Sequence, residues 1–251
     1  MQGPQGRLYA DPQPGHDPTS FQINNTSAQY YNSPYYKAHQ NQVQPIPPRR
    51  STAPPTLSDF LPAPTIATIR SAGRISFHAV GDTGAAKVSR FQSAAAAIGN
   101  QDTVADAMAK DVQAGGDTGP AFFFHLGDVI YNFGEGKYYY DQFYDPYRGY
   151  DRPIFAIPGN HDGVVYDATI PSLKGFLENF CAAAPGPAPN AGSLVRSLMT
   201  QPGVYFTLDA PFVSIIGLYS NVLEGPGIIS SQGGHFPTVG DDQLNPKRQI
   251  I

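Results

Sequence analysis

The sequence predicts a layered α/β fold, with a central β-sheet flanked by helices. Three observations carry that expectation. Short apolar runs at 74–80, 121–126 and 154–157 have the length and bounding residues of buried strands. An Ala-rich stretch at 90–114, with Ile98, Val104, Met108 and Val112, has helical spacing and separates the first two runs. Two later runs, 205–208 and 212–218, meet through Asp209-Ala210-Pro211 in the manner of a hairpin. Strands that alternate with helices build a sheet covered on its faces.

The elements follow in order. Residues 1–64 hold 12 of the 25 prolines, with many Gln, Asn, Ser and Tyr. Their apolar residues recur at neither period 2 nor period 3.6. Such a segment buries too little apolar surface to offset its chain entropy, so a disordered tail is predicted there, with the Tyr30-Tyr31 and Tyr35-Tyr36 pairs either solvated or sticky elements for a partner. The folded domain is placed at 65–251. Arg74–Val80 is its first strand, 90–114 one or two helices, and Ala121–Leu126 the second strand. Tyr138–Tyr147 is aromatic-rich and partly helical, stopping near Pro146. Ile154–Ile157 is the third strand, Ser172–Phe180 a helix and Ala182–Asn190 a Pro/Gly loop. Asp241–Ile251 opens like a helix, with Asp in its first turn.

Bulk properties exclude some functions. The net charge of -4 and the 14% of charged residues argue against nucleic acid, whose phosphates need a basic stripe. Cys181 is alone, so no intrachain disulfide forms. The N-terminal MQGPQGRLYADPQPGHD lacks the apolar core of a signal peptide. No run reaches the roughly 18 apolar residues of a membrane span. The expectation is a cytoplasmic chain without a membrane partner; the residues name no partner for the tail.

Three motifs share one layout. Phe77–Asp82 is a strand run followed by Gly-Asp, and Phe122–Asp128 repeats it. Ile154–His161 is a strand run followed by Pro158-Gly159-Asn160-His161, with Asp162 next. In α/β sheets functional groups gather beyond the carboxyl ends of the strands. Three adjacent strands would present Asp82, Asp128, Asn160 and His161 in one crevice. Two carboxylates, an amide and an imidazole suit hard or borderline metal ions. Without a cation the carboxylates repel and one is protonated. GDTG recurs at 116–119, but no strand precedes it, and Asp117 is ordinary turn chemistry. His78 and His125 lie inside strand runs and are expected to be packed side chains.

The ordered set resembles the calcineurin-like metallophosphoesterase superfamily, over about Arg74 to Asn221. The GDTG of the first motif and the Gly127-Asp128-Val129-Ile130-Tyr131 of the second resemble its purple acid phosphatase branch, where a Tyr replaces the His ligand missing from the first motif. The resemblance implies a sandwich with central mixed β-sheets flanked by helices. It implies hydrolysis of phosphate monoesters, or diesters, at a binuclear metal centre with a metal-bound hydroxide as nucleophile. Asp82 and Tyr131 would bind the first metal, Asp128 would bridge, and Asn160 would bind the second. His161 would be catalytic, stabilising the phosphoryl oxygens or protonating the leaving group. The metals implied are Fe(III) at the tyrosine site, with Zn, Mn or Fe(II) beside it.

The same pattern implies more histidines: one from a later strand and two from a GHxH motif. After His161 only His235 follows, in Gly-Gly-His-Phe-Pro, so it is expected to be a loop residue. The expectation is a domain whose C-terminal part, with its histidine motifs, is missing. An alternative stays open: a catalytically dead remnant or interaction protein.

Overall fold

The computed structural model describes residues 46–84, 94–131, 133–163, 171–192 and 194–220, with Asn32, Pro34 and Lys37. His235, the helix expected at 241–251 and nearly all of residues 1–45 lie outside the described residues.

The folded part begins earlier than composition suggests. Residues 46–64, assigned to the tail, run along the domain and enter its core. Leu57 and Leu61 are buried, and the Arg50 guanidinium donates to the Thr200 and Gln201 carbonyls. Helix α1 (Ala63–Ala72) carries Pro64 in its first turn, where no intrahelical N–H is needed, and stops at Gly73 with φ 64°. Ile66 and Ile69 face inward from it. The proline density is therefore that of a packed extended segment and a helix start. It hides two core residues, Leu57 and Leu61.

Strands β1 (His78–Val80), β2 (Phe123–His125) and β3 (Ile154–Ala156) form a parallel sheet in that order. The paired part of β1 is shorter than the 74–80 run. Helix α2 (Ala94–Gly115) is a single helix, and it fills the crossover between β1 and β2. It turns Ala105, Met108, Ala109 and Val112 inward, while Val104 is exposed, so the apolar stripe runs one residue off the Val104 reading. The crossover from β2 to β3 contains a turn of π-helix at Tyr140–Tyr144.

Both faces of β2 and β3 are covered, which is why those strands read as unbroken apolar runs, whereas β1 at the edge is only partly buried. On one face Phe123, Ile154 and Ala156 pack against α2 and the aromatic residues Tyr139, Phe143, Tyr144, Tyr147 and Tyr150. On the other, Phe122, Phe124 and Phe155 meet α1, Leu57 and the hairpin residues Phe206 and Leu208. That hairpin is β4 (Phe206–Ala210) and β5 (Val213–Gly217), antiparallel and in register from Phe206↔Gly217 to Ala210↔Val213. Its turn is Pro211-Phe212 rather than Asp209–Pro211, with Phe212 at φ 74° where glycine is usual. The expected mixed sheets are thus a parallel sheet and an antiparallel pair. Short helices α3 (Asn160–Gly163) and α4 (Lys174–Phe180) complete the described elements that bear on the site. No helix among the described residues is long and apolar enough to cross a membrane.

Candidate active site

Parallel strands end at the same edge of a sheet, so the segments after Val80, His125 and Ala156 leave side by side. Asp82 and Asp128 both sit in the left-handed region, at φ 55° and 54°. Asp tolerates this conformation better than most residues, at a cost of order 1 kcal/mol. The two loops are latched by backbone bonds. The Asp82 N–H donates to the Gly127 carbonyl at 2.9 Å, and the Gly84 N–H donates to the Asp128 carbonyl at 3.3 Å.

Two glycines are required by proximity. A Cβ on Gly127, which has φ 105°, would lie 2.6 Å from the Gly159 nitrogen. A Cβ on Gly159 would lie 2.2 Å from Asp128 Oδ1. Gly-Asp and Gly-Asn therefore fit together as one joint between β2 and β3.

The Tyr131 hydroxyl ties the carboxylates together. Its oxygen lies 2.7 Å from Asp82 Oδ1 and 3.1 Å from Asp128 Oδ2. The other Asp128 oxygen accepts the His161 backbone N–H at 2.9 Å. Burial is the main cause that raises the Asp128 carboxyl, and the charge of Asp82 adds to it; the His161 N–H and the Tyr131 hydroxyl oppose. Burial, then the two carboxylates, push the Tyr131 phenol far above its ordinary range. Three oxygens of high proton affinity are thus crowded together. A hard cation in that place relieves all three, and carboxylate and phenol oxygens are the donors such an ion takes. The residues present fit one cation. Among the described residues no group of three or more His, Cys, Asp or Glu converges on a point.

The remaining expected site residues lie on the same edge. Asn160 opens α3 and is half-buried. His161 is buried, and its ring centroid lies 4.1 Å from that of Tyr131. Asp162 has a role the sequence reading did not assign. Its carboxylate accepts the N–H groups of Val129, Ile130 and Gly159 at 2.8–3.1 Å, holding the turn after Asp128 to the loop after β3. Its acid is raised by burial first and by the Asp128 charge second. Gln142 was also missed. Its amide accepts the Tyr131 N–H at 2.9 Å and donates to the Tyr131 carbonyl at 3.0 Å. The only signal for Asp162 was the last letter of GNHD; for Gln142, inside a tyrosine-rich stretch, there was none.

Both strand histidines are packed. His125 is fully buried; its Nδ1 accepts the Gly127 N–H at 3.1 Å, so Nε2 carries the hydrogen and meets Thr83 Oγ1 at 2.7 Å. Burial lowers it to about 3, against the pull of Asp82. His78 contacts the Tyr150 hydroxyl at 3.0 Å and Asp111 at 3.4 Å. Asp117 lies in the 3-10 turn Gly116–Thr118, before β2 and so at the other end of the sheet.

Neither a curated protein nor a solved structure matches the chain. A family model does, that of the calcineurin-like phosphoesterases, over residues 75–239. This range contains all three sheet-edge loops, and with it the motifs, the parallel sheet and the paired aspartates agree: the chain belongs to the calcineurin-like phosphoesterase family.

Proposed function

We propose that the protein hydrolyses phosphate esters, monoesters first, in the manner of the purple acid phosphatase branch. The observation that carries this reading is the Tyr131 hydroxyl set between Asp82 and Asp128. In that branch tyrosine stands where other members use histidine, and here the first motif has Gly84 in the histidine's place.

Asp82, Asp128 and Tyr131 would hold the first cation, Fe(III) by the hardness of the phenolate oxygen. A second cation, Zn, Mn or Fe(II), would share Asp128 and take Asn160 as a further ligand. When bound, the cations supply Lewis acidity at the phosphoryl oxygens and a water acidic enough to attack near neutral pH. The chain's own residues set the stage. The Asp128 carboxylate is aimed by the His161 N–H, and Asp162 ties together the two loops that carry them. The His161 imidazole, next to the Tyr131 ring, is the proton donor to the leaving oxygen or the partner of a phosphoryl oxygen. Asp128→Asn removes the bridging charge while keeping shape. The expected outcome is loss of p-nitrophenyl phosphate turnover by at least about a hundredfold with unfolding unchanged in cooperativity; turnover equal to wild type would sink the proposal.

A second reading has one observation in its favour. Within these 251 residues only His235 follows His161, so imidazoles for a second cation are scarce. A chain that folds and binds one ion without turnover would support that reading.

A further inference from the structure

A cavity of about 350 Å³ lies at the other end of β3 from Asn160. That size is at the low end of small-molecule sites, roughly 300–1,000 Å³. It opens beside β3, on the side away from β2. There the Gln201 side chain takes the place of a further strand, accepting the Ala156 N–H and donating to its carbonyl. Phe60, Leu198 and Met199 supply an apolar wall, with Phe60 held edge-on to Phe155 at 4.8 Å.

Arg196 lines the same cavity and is half-buried. One end of its guanidinium is fixed: Nη1 donates to the Tyr147 and Tyr150 carbonyls at 3.2 and 3.0 Å. Nε and Nη2 have no hydrogen-bond partner among the described residues, and no carboxylate lies within ion-pair distance. Burial lowers the Arg196 pKa, opposed by Tyr144 and by the charge of Asp151. Asp151 and Arg152 line the cavity as well; Asp151 is mostly exposed, acts on Arg196 only from beyond ion-pair distance, and sits 3.9 Å from the Arg152 guanidinium. Ser197 and Thr200 add hydroxyl groups to the lining. A partly desolvated guanidinium with free N–H groups, facing a cavity with an apolar wall, is the arrangement that selects a negative head on an apolar body.

We propose that this cavity binds a small organic anion, a carboxylate or phosphonate-like head on the free edge of Arg196 and an apolar body against Phe60, Leu198 and Met199. The site is separate from the sheet-edge carboxylates and does not depend on the phosphoesterase reading.

Met199 provides the reporter. The chain has three methionines, and Met108 is buried on helix α2 and does not line the cavity. The full chain, labelled with carbon-13 at its methionine methyls, is titrated with phenylphosphonate and, separately, with benzoate. The expected result is a saturable shift of the Met199 signal with either or both probes, with Met108 unmoved and with neutral benzyl alcohol much weaker. A shift with one probe alone identifies the head the site takes. Arg196→Gln should abolish the response. Because Arg196 also holds two carbonyls, Ser197→Asp is the companion variant; it leaves those bonds intact and sets a carboxylate in the lining. It should weaken the response by about tenfold or more. No saturable Met199 shift with either anion, an equal shift with benzyl alcohol, or an unchanged response in Ser197→Asp would each overturn the proposal.

Discussion

The phenol oxygen of Tyr131 lies 2.7 and 3.1 Å from carboxylate oxygens of Asp82 and Asp128, so one phenol serves two carboxylates. That economy at the residue scale is what makes the site a place for a cation. His125 shows the opposite strategy, a titratable group kept neutral. Its folded value is depressed from 6.5 to about 3. Stability from this group is therefore present above pH 6.5 and lost as pH falls toward 3, because in that window the unfolded chain takes a proton that the folded chain refuses. The slope is at most about 1.4 kcal/mol per pH unit. Asp128 and Asp162 act with opposite sign in the metal-free chain: their raised values let the folded state hold protons first, so they add stability as pH falls. Comparing wild type with His125→Gln, both metal-free, isolates the imidazole. Urea unfolding should show the wild type losing stability more steeply below pH 6.5 than the variant; parallel curves would contradict the assignment.

At the scale of elements, the site is a joint between three strand ends. The sequence shows that joint well where a strand run is followed by Gly and a polar residue. The backbone has to turn sharply there, and only Gly127 and Gly159 allow the loops to touch. Asp82, Asp128 and Tyr131 could be placed from those motifs, and the structure brings their oxygens together; His161 and Asn160 share the edge. What the motifs could not show is the support behind them. Gln142 belongs to the π-helical turn, and its amide mimics a strand partner for Tyr131. Nothing periodic marks such a residue, since its contact depends on how the aromatic crossover folds back. Gln142→Leu keeps the volume and removes both bonds. It should cost roughly 1–3 kcal/mol for each unpaired backbone group, read by urea unfolding, and should lower turnover more than it raises KM, because Tyr131 loses its tether. A variant with wild-type stability and turnover would mean that the Gln142 contact is idle.

For the whole molecule, the sheet is held between an aromatic cluster and a second apolar layer, and the second layer depends on residues near the N-terminal side of the domain. The alternation of strands and helices was legible because each buried strand is short, apolar and bounded. The contribution of 46–64 was not, because prolines and polar residues dilute its two buried apolar residues, Leu57 and Leu61, over an extended path. Leu57, wholly buried under the sheet, tests this directly. Leu57→Ala should destabilise the chain by about 2–5 kcal/mol, whereas a loss of under about 0.5 kcal/mol would return the segment to the status of a tail.

The central claim is that the oxygens of Asp82, Asp128 and Tyr131 together hold a metal ion. Its most direct test is metal content per chain, measured by elemental analysis on purified monodisperse wild type and on Tyr131→Phe. The account predicts at least one tightly held ion per wild-type chain, and an affinity at least about tenfold weaker once the phenol oxygen is gone. Equal metal content and equal affinity in the two proteins would contradict it.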